Sequence, residues 1–260
     1  MKRIFMPFTF FIIVSAHAQF FIPPKTLVKE AAHREILVLL ENPAQHRNQW
    51  LNSHTQQFTK QLWKFTPALL YRNHNETENL LKNNPDKYAT LSWYYTERTY
   101  PGSHVMASRE VFVLGLRLYG KDGDYTTVGE VAFPDDNITE YDIAFAIQHL
   151  QIDLEAGLYD LRKDDPAYWN DSRLAEIMKG QTVFTDNIKG NPEIPEKIEI
   201  EKANSQAITR AVINRQEKRL FITTIFSDKY FMPIKAIIST ETMEPVLYLK
   251  PKSTTTAFVK

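Results

Sequence analysis

Seven histidines and 31 acidic residues offer the obvious candidates for chemistry in this 260-residue chain, which has no cysteine. His46, Trp50 and His54 fall at four-residue steps, one face of a helix. A zinc-binding helix places its histidines one turn apart, as in H-E-x-x-H. His46 and His54 are two turns apart, about 12 Å at 1.5 Å per residue, and cannot chelate one ion. His33, His74, His104 and His149 lie on separate elements. The sequence therefore supplies no metal ligand set, and the absence of cysteine removes thiolate chemistry and cysteine-bound zinc.

Asp122-Gly123-Asp124 has the opening of a calcium loop, but Thr126 and Phe133 stand where such a loop needs its third ligand and its glutamate. A hairpin turn accounts for the same residues. Asp135-Asp136-Asn137 reads as a turn leading into a helix cap. No G-x-S-x-G elbow occurs, and Ser103-His104 has no flanking pattern to support a nucleophile. Eight dispersed glycines do not form a phosphate-cradling loop. No catalytic residue and no cofactor follow from these patterns.

One binding surface does. With Leu91, Trp93 and Tyr95 on one face of a strand, Tyr94, Arg98 and Tyr100 fall on the other. Aromatic and arginine side chains on an open sheet face can stack on sugars or anchor a protein partner. These three are the sequence's candidate binding residues, set against ordinary cross-strand packing, since strands favour aromatic residues anyway.

The elements that would carry them are of mixed type. Thr26–Glu41 reads as a helix, with Leu27, Ala31, Ile36, Leu37 and Leu40 as its apolar stripe and Asn42-Pro43 as its stop. A second helix is expected over 44–65 and a short third over 76–83. The period then changes to two, with strands around 91–95, 109–119 and 126–133 forming an antiparallel meander whose second turn contains Asp122-Gly123. Thr139 and Asp142 form a shortened capping box ahead of a long helix, with apolar residues from Ile143 to Leu161. Asn204 or Ser205 starts another helix, and strands at 220–226, 233–239 and 245–250 make a C-terminal meander.

The predicted fold class is α+β: a helical N-terminal third, an antiparallel sheet covered by a long amphipathic helix, and a smaller C-terminal α+β meander unit. The expected organisation is residues 1–18 as a cleaved signal peptide, 19–186 as the main unit, 187–204 as a connection, and 205–260 as the C-terminal unit. No repeated sequence is evident, although the two sheet-plus-helix units are similar in build.

Export is read from Lys2 and Arg3, the apolar run from Ile4 to Val14, and the small residues Ala16 and Ala18 before Gln19. Loss of residues 1–18 leaves 29 of the 31 basic residues against 31 acidic ones. That near-neutral, scattered charge argues against nucleic acid or an anionic membrane as partner. No later segment reaches membrane-spanning length. A chain of this size can build a core without disulfides. The expectation is a soluble, periplasmic or extracellular protein that binds an envelope protein or a glycan without catalysis. A secreted hydrolase acting on glycans or peptides is the alternative.

Overall fold

Strand order is the organising feature of the computed structural model, which describes residues 23–66, 68–99, 108–159, 167–168, 176, 178–186, 199–227 and 232–249. Helix α1 (Lys25–Ala32) leads into strand β1 (Glu35–Leu39), followed by α2 (His46–Leu62), β2 (Leu69–Arg72) and α3 (His74–Asn83). A 3-10 turn at Pro85–Lys87 then feeds β3 (Tyr88–Thr99), β4 (Ser108–Tyr119) and β5 (Tyr125–Phe133). These strands form a sheet of order β2-β1-β3-β4-β5, with β1 parallel to β2 and β3, and the rest antiparallel.

Helix α4 (Glu140–Tyr159) crosses to a second sheet. That sheet contains β6 (Ala167–Tyr168), β7 (Thr182–Thr185), β8 (Glu199–Lys202), β9 (Arg219–Ser227), β10 (Met232–Ser239) and β11 (Pro245–Tyr248), with α5 (Ser205–Ile213) between β8 and β9. Its order is β6-β11-β10-β9-β7-β8. Set aside β6, and the second sheet repeats the first: the opening strand lies between its two parallel partners, and an antiparallel meander extends one side. Both final hairpins carry a bulge, which leaves Val128 and Val246 as the extra residue of the last strand. The two halves thus share a topology without sharing a sequence pattern.

The helical reading of Thr26–Glu41 is corrected: α1 ends at Ala32, and Glu35–Leu39 is a strand. Ile36, Leu37 and Val38 are all fully buried. A parallel strand covered on both faces reads as a continuous apolar run, which periodicity cannot tell from a buried helix. The helical N-terminal third is therefore an alternation of helices and parallel strands, and the first sheet is mixed, not antiparallel throughout. The expected β3–β4–β5 meander is present. Its second turn is a five-residue loop, Gly120–Asp124, closed by the Tyr119–Tyr125 pair, with Gly123 at φ 84°. The C-terminal meander is also present. Residues 1–18 and 187–198 lie outside the described residues; β7 and β8, on either side of that last stretch, pair directly.

The covering helix also differs from expectation. Helix α4 is buried around nearly its whole circumference, including Asp142, Gln148, His149, Gln151 and Asp153. One side meets the first sheet and α2, where Leu51, Phe58, Leu91, Leu114 and Leu150 share a core. On the other side, Tyr141 and Phe145 set their rings edge-on to Phe221 of β9. A helix between two layers cannot be amphipathic in the ordinary sense, so the apolar stripe that marked it described only half of its surroundings.

Arg34 closes the corner where β1, the 3-10 turn and β4 meet. Its Nη1 donates to the carbonyls of Pro85, Tyr88 and Tyr119 at 2.6, 3.1 and 3.3 Å, and its Nη2 pairs with Glu30. Replacing it by methionine keeps the stem and strands those carbonyls. Arg34→Met should lower stability by about 2–3 kcal/mol. Urea denaturation of both proteins would check it, and an unchanged midpoint would refute it.

Candidate functional site

A recess of about 730 Å³ opens at the carboxyl ends of β1 and β2. Ligands of α/β sheets commonly sit outside the carboxyl ends of parallel strands, where the connecting loops diverge. One wall is α2, which presents Gln49, Asn52, Ser53, Gln56, Gln57 and Lys60. Its opposite face buries Leu51, Phe58 and Leu62. Leu40, Glu41 and Pro43 after β1, and Tyr71, Arg72, Asn73 and Glu76 around the end of β2, complete the lining.

Several of these groups are fixed by the protein. Asn52 bridges to the β1 side: its Oδ1 accepts from the Glu41 N–H at 2.9 Å, and its Nδ2 donates to the Glu41 carbonyl at 2.8 Å. Glu41 lies 3.6 Å from His74 Nε2. Asn73 and Glu76 form a reciprocal capping box at the start of α3. Tyr71 hydrogen-bonds Thr59 at 3.0 Å, and burial raises its pKa against the opposing effect of that hydroxyl. By contrast, the side chains of Ser53, Gln56 and Gln57 have no protein partner.

A second recess, about 370 Å³, lies where the N-terminus of α4 faces β7, β9 and β10. Asp142 sits at its base, taking the Thr139 N–H and hydroxyl on Oδ2 at 2.8 and 2.7 Å, and the Thr223 hydroxyl on Oδ1. The Asp142 N–H points back at Thr139 Oγ1 at 3.4 Å, so the expected capping pair is present. Asp186, which accepts from the Tyr141 hydroxyl at 3.2 Å, and Lys235 also line the recess. Burial raises the Asp142 carboxyl pKa despite these donors, and the Tyr141 phenol is raised strongly for the same reason.

Of the residues chosen from sequence, Tyr94 and Arg98 share one strand face, and Tyr100 lies outside the described residues. Tyr94 donates to Glu130 Oε2 at 3.1 Å, while Arg98 pairs with Glu130 Oε1. The Arg117 guanidinium lies 3.3 Å over the Tyr94 ring and 4.3 Å from that of Tyr125. Beside them Val111, Val113 and Ala132 pack on Phe226 of the second sheet. The pair is thus brought together, with Tyr94 and Arg98 both engaged with Glu130.

Two of the described histidines are held between elements. His54 Nδ1 faces the Trp50 carbonyl at 2.8 Å and Nε2 faces Glu140 at 3.3 Å. His149 Nδ1 faces the Met243 carbonyl at 2.7 Å. Among the described residues no three potential metal ligands gather around one point, and no helix there is long and apolar enough to cross a membrane.

The cleft was missed in the sequence because its residues come from three separate elements. Two local signals were available: the polar stripe Gln49, Asn52 or Ser53, Gln56 and Lys60 at helical spacing, and the Asn73-x-x-Glu76 capping pattern. No protein-family model, curated protein or solved structure matches the chain.

The Asp142 environment fixes a pH dependence. Its unfolded pKa is about 3.9, and its folded value is higher, so the folded state holds the proton longer. Stability from this group is therefore full below about pH 4 and declines as pH rises through the folded value. The melting temperature of wild type minus that of Asp142→Asn should accordingly fall between pH 4 and 7. Parallel thermal melts would measure it; a difference that rises with pH would mean that the carboxylate form is the favoured one.

Proposed function

We propose that this protein is exported after cleavage behind Ala18 and binds a polar ligand or partner of the cell envelope, without catalysis, in the cleft between α2 and the ends of β1 and β2. The supporting observation is the contrast within the lining. Asn52, Asn73 and Glu76 hold the walls in place, while Ser53, Gln56 and Gln57 present donors and acceptors that the protein leaves unused. A pre-formed recess with a few such polar groups is the usual form of a small-ligand site. The export part rests on the pattern of residues 1–18 alone.

Tyr94, Arg98 and Tyr100 remain an alternative contact surface, and the first two provide a control. A tryptophan at position 56 should fill the cleft from a half-buried position on the polar face of α2, away from the core behind it. Gln56→Trp should abolish retention of a glycan-array ligand with the melting temperature unchanged, while Arg98→Gln retains it. The reverse pattern would move the binding site to the sheet face.

The hydrolase reading has one observation in its favour, the pairing of Asp142 and Asp186 in the smaller recess. Both oxygens of Asp142 are already occupied by Thr139 and Thr223, as a cap requires. Turnover of an oligosaccharide or peptide panel that disappears in Asp186→Asn would support hydrolysis over binding.

A further inference from the structure

We propose that the ligand of this cleft is an acidic sugar whose carboxylate is held by Lys60 and Arg72. This rests on the cleft being the binding site and adds the ligand's chemical class. Four charged side chains line the recess: Glu41, Lys60, Arg72 and Glu76. The two acids are spoken for, Glu41 by His74 at 3.6 Å and Glu76 by the capping box of α3. Neither cation has a carboxylate partner among the described residues. The four formal charges balance, but the acid oxygens are engaged, and the donors left without an acid partner are those of the two cations.

Both cations are nonetheless held in position. Lys60 Nζ lies 5.1 Å from the centroid of the Tyr71 ring, which fixes the ammonium beside the end of β2. Arg72 spends one amino group, Nη1, on the Tyr71 carbonyl at 2.8 Å. Its Nη2 and Nε remain for an oxyanion, and a planar guanidinium fork matches a carboxylate with two parallel hydrogen bonds. Tyr71 thus places both charges, one through its ring and one through its backbone.

The neighbouring groups favour a sugar over a peptide. Ser53, Gln56 and Gln57 can each donate and accept, which suits hydroxyls that do the same. The apolar part of the lining is small, Leu40, Pro43 and the Tyr71 ring, and an aromatic ring also suits the face of a sugar. A carboxylate is favoured over a phosphate because the α3 end, a common phosphate receptor, is partly taken and carries an acid of its own: the Glu76 N–H goes to Asn73 Oδ1 and the Asn73 N–H to Glu76 Oε2.

Isothermal titration of the purified chain with digalacturonic acid, its dimethyl ester, glucose 6-phosphate and an acidic dipeptide would test this. Digalacturonic acid should bind best, and the ester at least about tenfold more weakly, the loss expected when a charge-assisted hydrogen bond goes. Lys60→Gln and Arg72→Gln should each weaken the acid about as much while leaving the melting temperature in place. Equal affinity for acid and ester, with both abolished by Gln56→Trp, would overturn the acidic-sugar assignment and leave the cleft as the site. Preference for the phosphate or the dipeptide would overturn it in favour of that ligand. Binding of the acid that ignores Gln56→Trp, Lys60→Gln and Arg72→Gln would overturn the cleft itself. No binding of the acid would overturn the assignment outright.

Discussion

Helix α4 has almost no water to turn to, and the molecule is arranged around that constraint. A buried polar group must find a partner inside the protein or carry the full cost of its lost hydration. Four of the polar residues along α4 reach different neighbours: Asp142 reaches Thr223 on β9, Gln148 the Val212 carbonyl and Arg215, His149 the Met243 carbonyl, and Gln151 the Lys64 N–H beyond α2. Apolar packing alone would tolerate a helix rotated or slid by one residue. Five directed hydrogen bonds to four separate segments do not, so they set the helix's rotation and depth and hence the spacing of the sheets.

The same helix shows why two similar halves do not make a symmetric molecule. Right-handed crossovers send α2 and α3 to opposite faces of the first sheet, because one step moves outward along the sheet and the next returns. Helix α4 lies on the α2 side of that sheet. In the second half it lies with α5, the counterpart of α3, where Ile208, Ala211 and Val212 join the shared core. The common topology is therefore used with opposite faces inward. The face of α3 is left mostly to solvent, with Thr77 its one buried residue.

How much of this was legible depended on how local each signal is. The β4–β5 hairpin, the caps of α4 and α5, and the C-terminal meander all follow from short patterns near their own residues. The strand Glu35–Leu39 did not, because it owes its conformation to Leu69–Arg72 and Tyr88–Leu91, which supply its hydrogen bonds from 33 and 53 residues away. Nor did β8, whose sequence Glu-Ile-Glu-Lys carries little β preference and pairs with β7 only because the fold brings them together. The sheet-face residues were partly legible: alternation put Tyr94 and Arg98 on one side, but their common tie to Glu130 needed the register of β5. The cleft was the least visible, since Tyr71 and Arg72 belong to the strand that the sequence did not mark.

The order in which the elements leave the ribosome gives α4 a further significance. The first sheet is complete at Phe133 and the helix at Tyr159, but the chain that covers its other side ends only at Tyr248. For roughly 90 residues of synthesis, several seconds at about 5–20 residues per second, Tyr141, Phe145 and the hooks Asp142, Gln148 and His149 have no second layer to engage. A nascent chain in that interval presents a half-covered helix, adhesive and with its hydrogen-bonding side chains still unmatched. A helix so thoroughly enclosed in the finished molecule is vulnerable while it is being made.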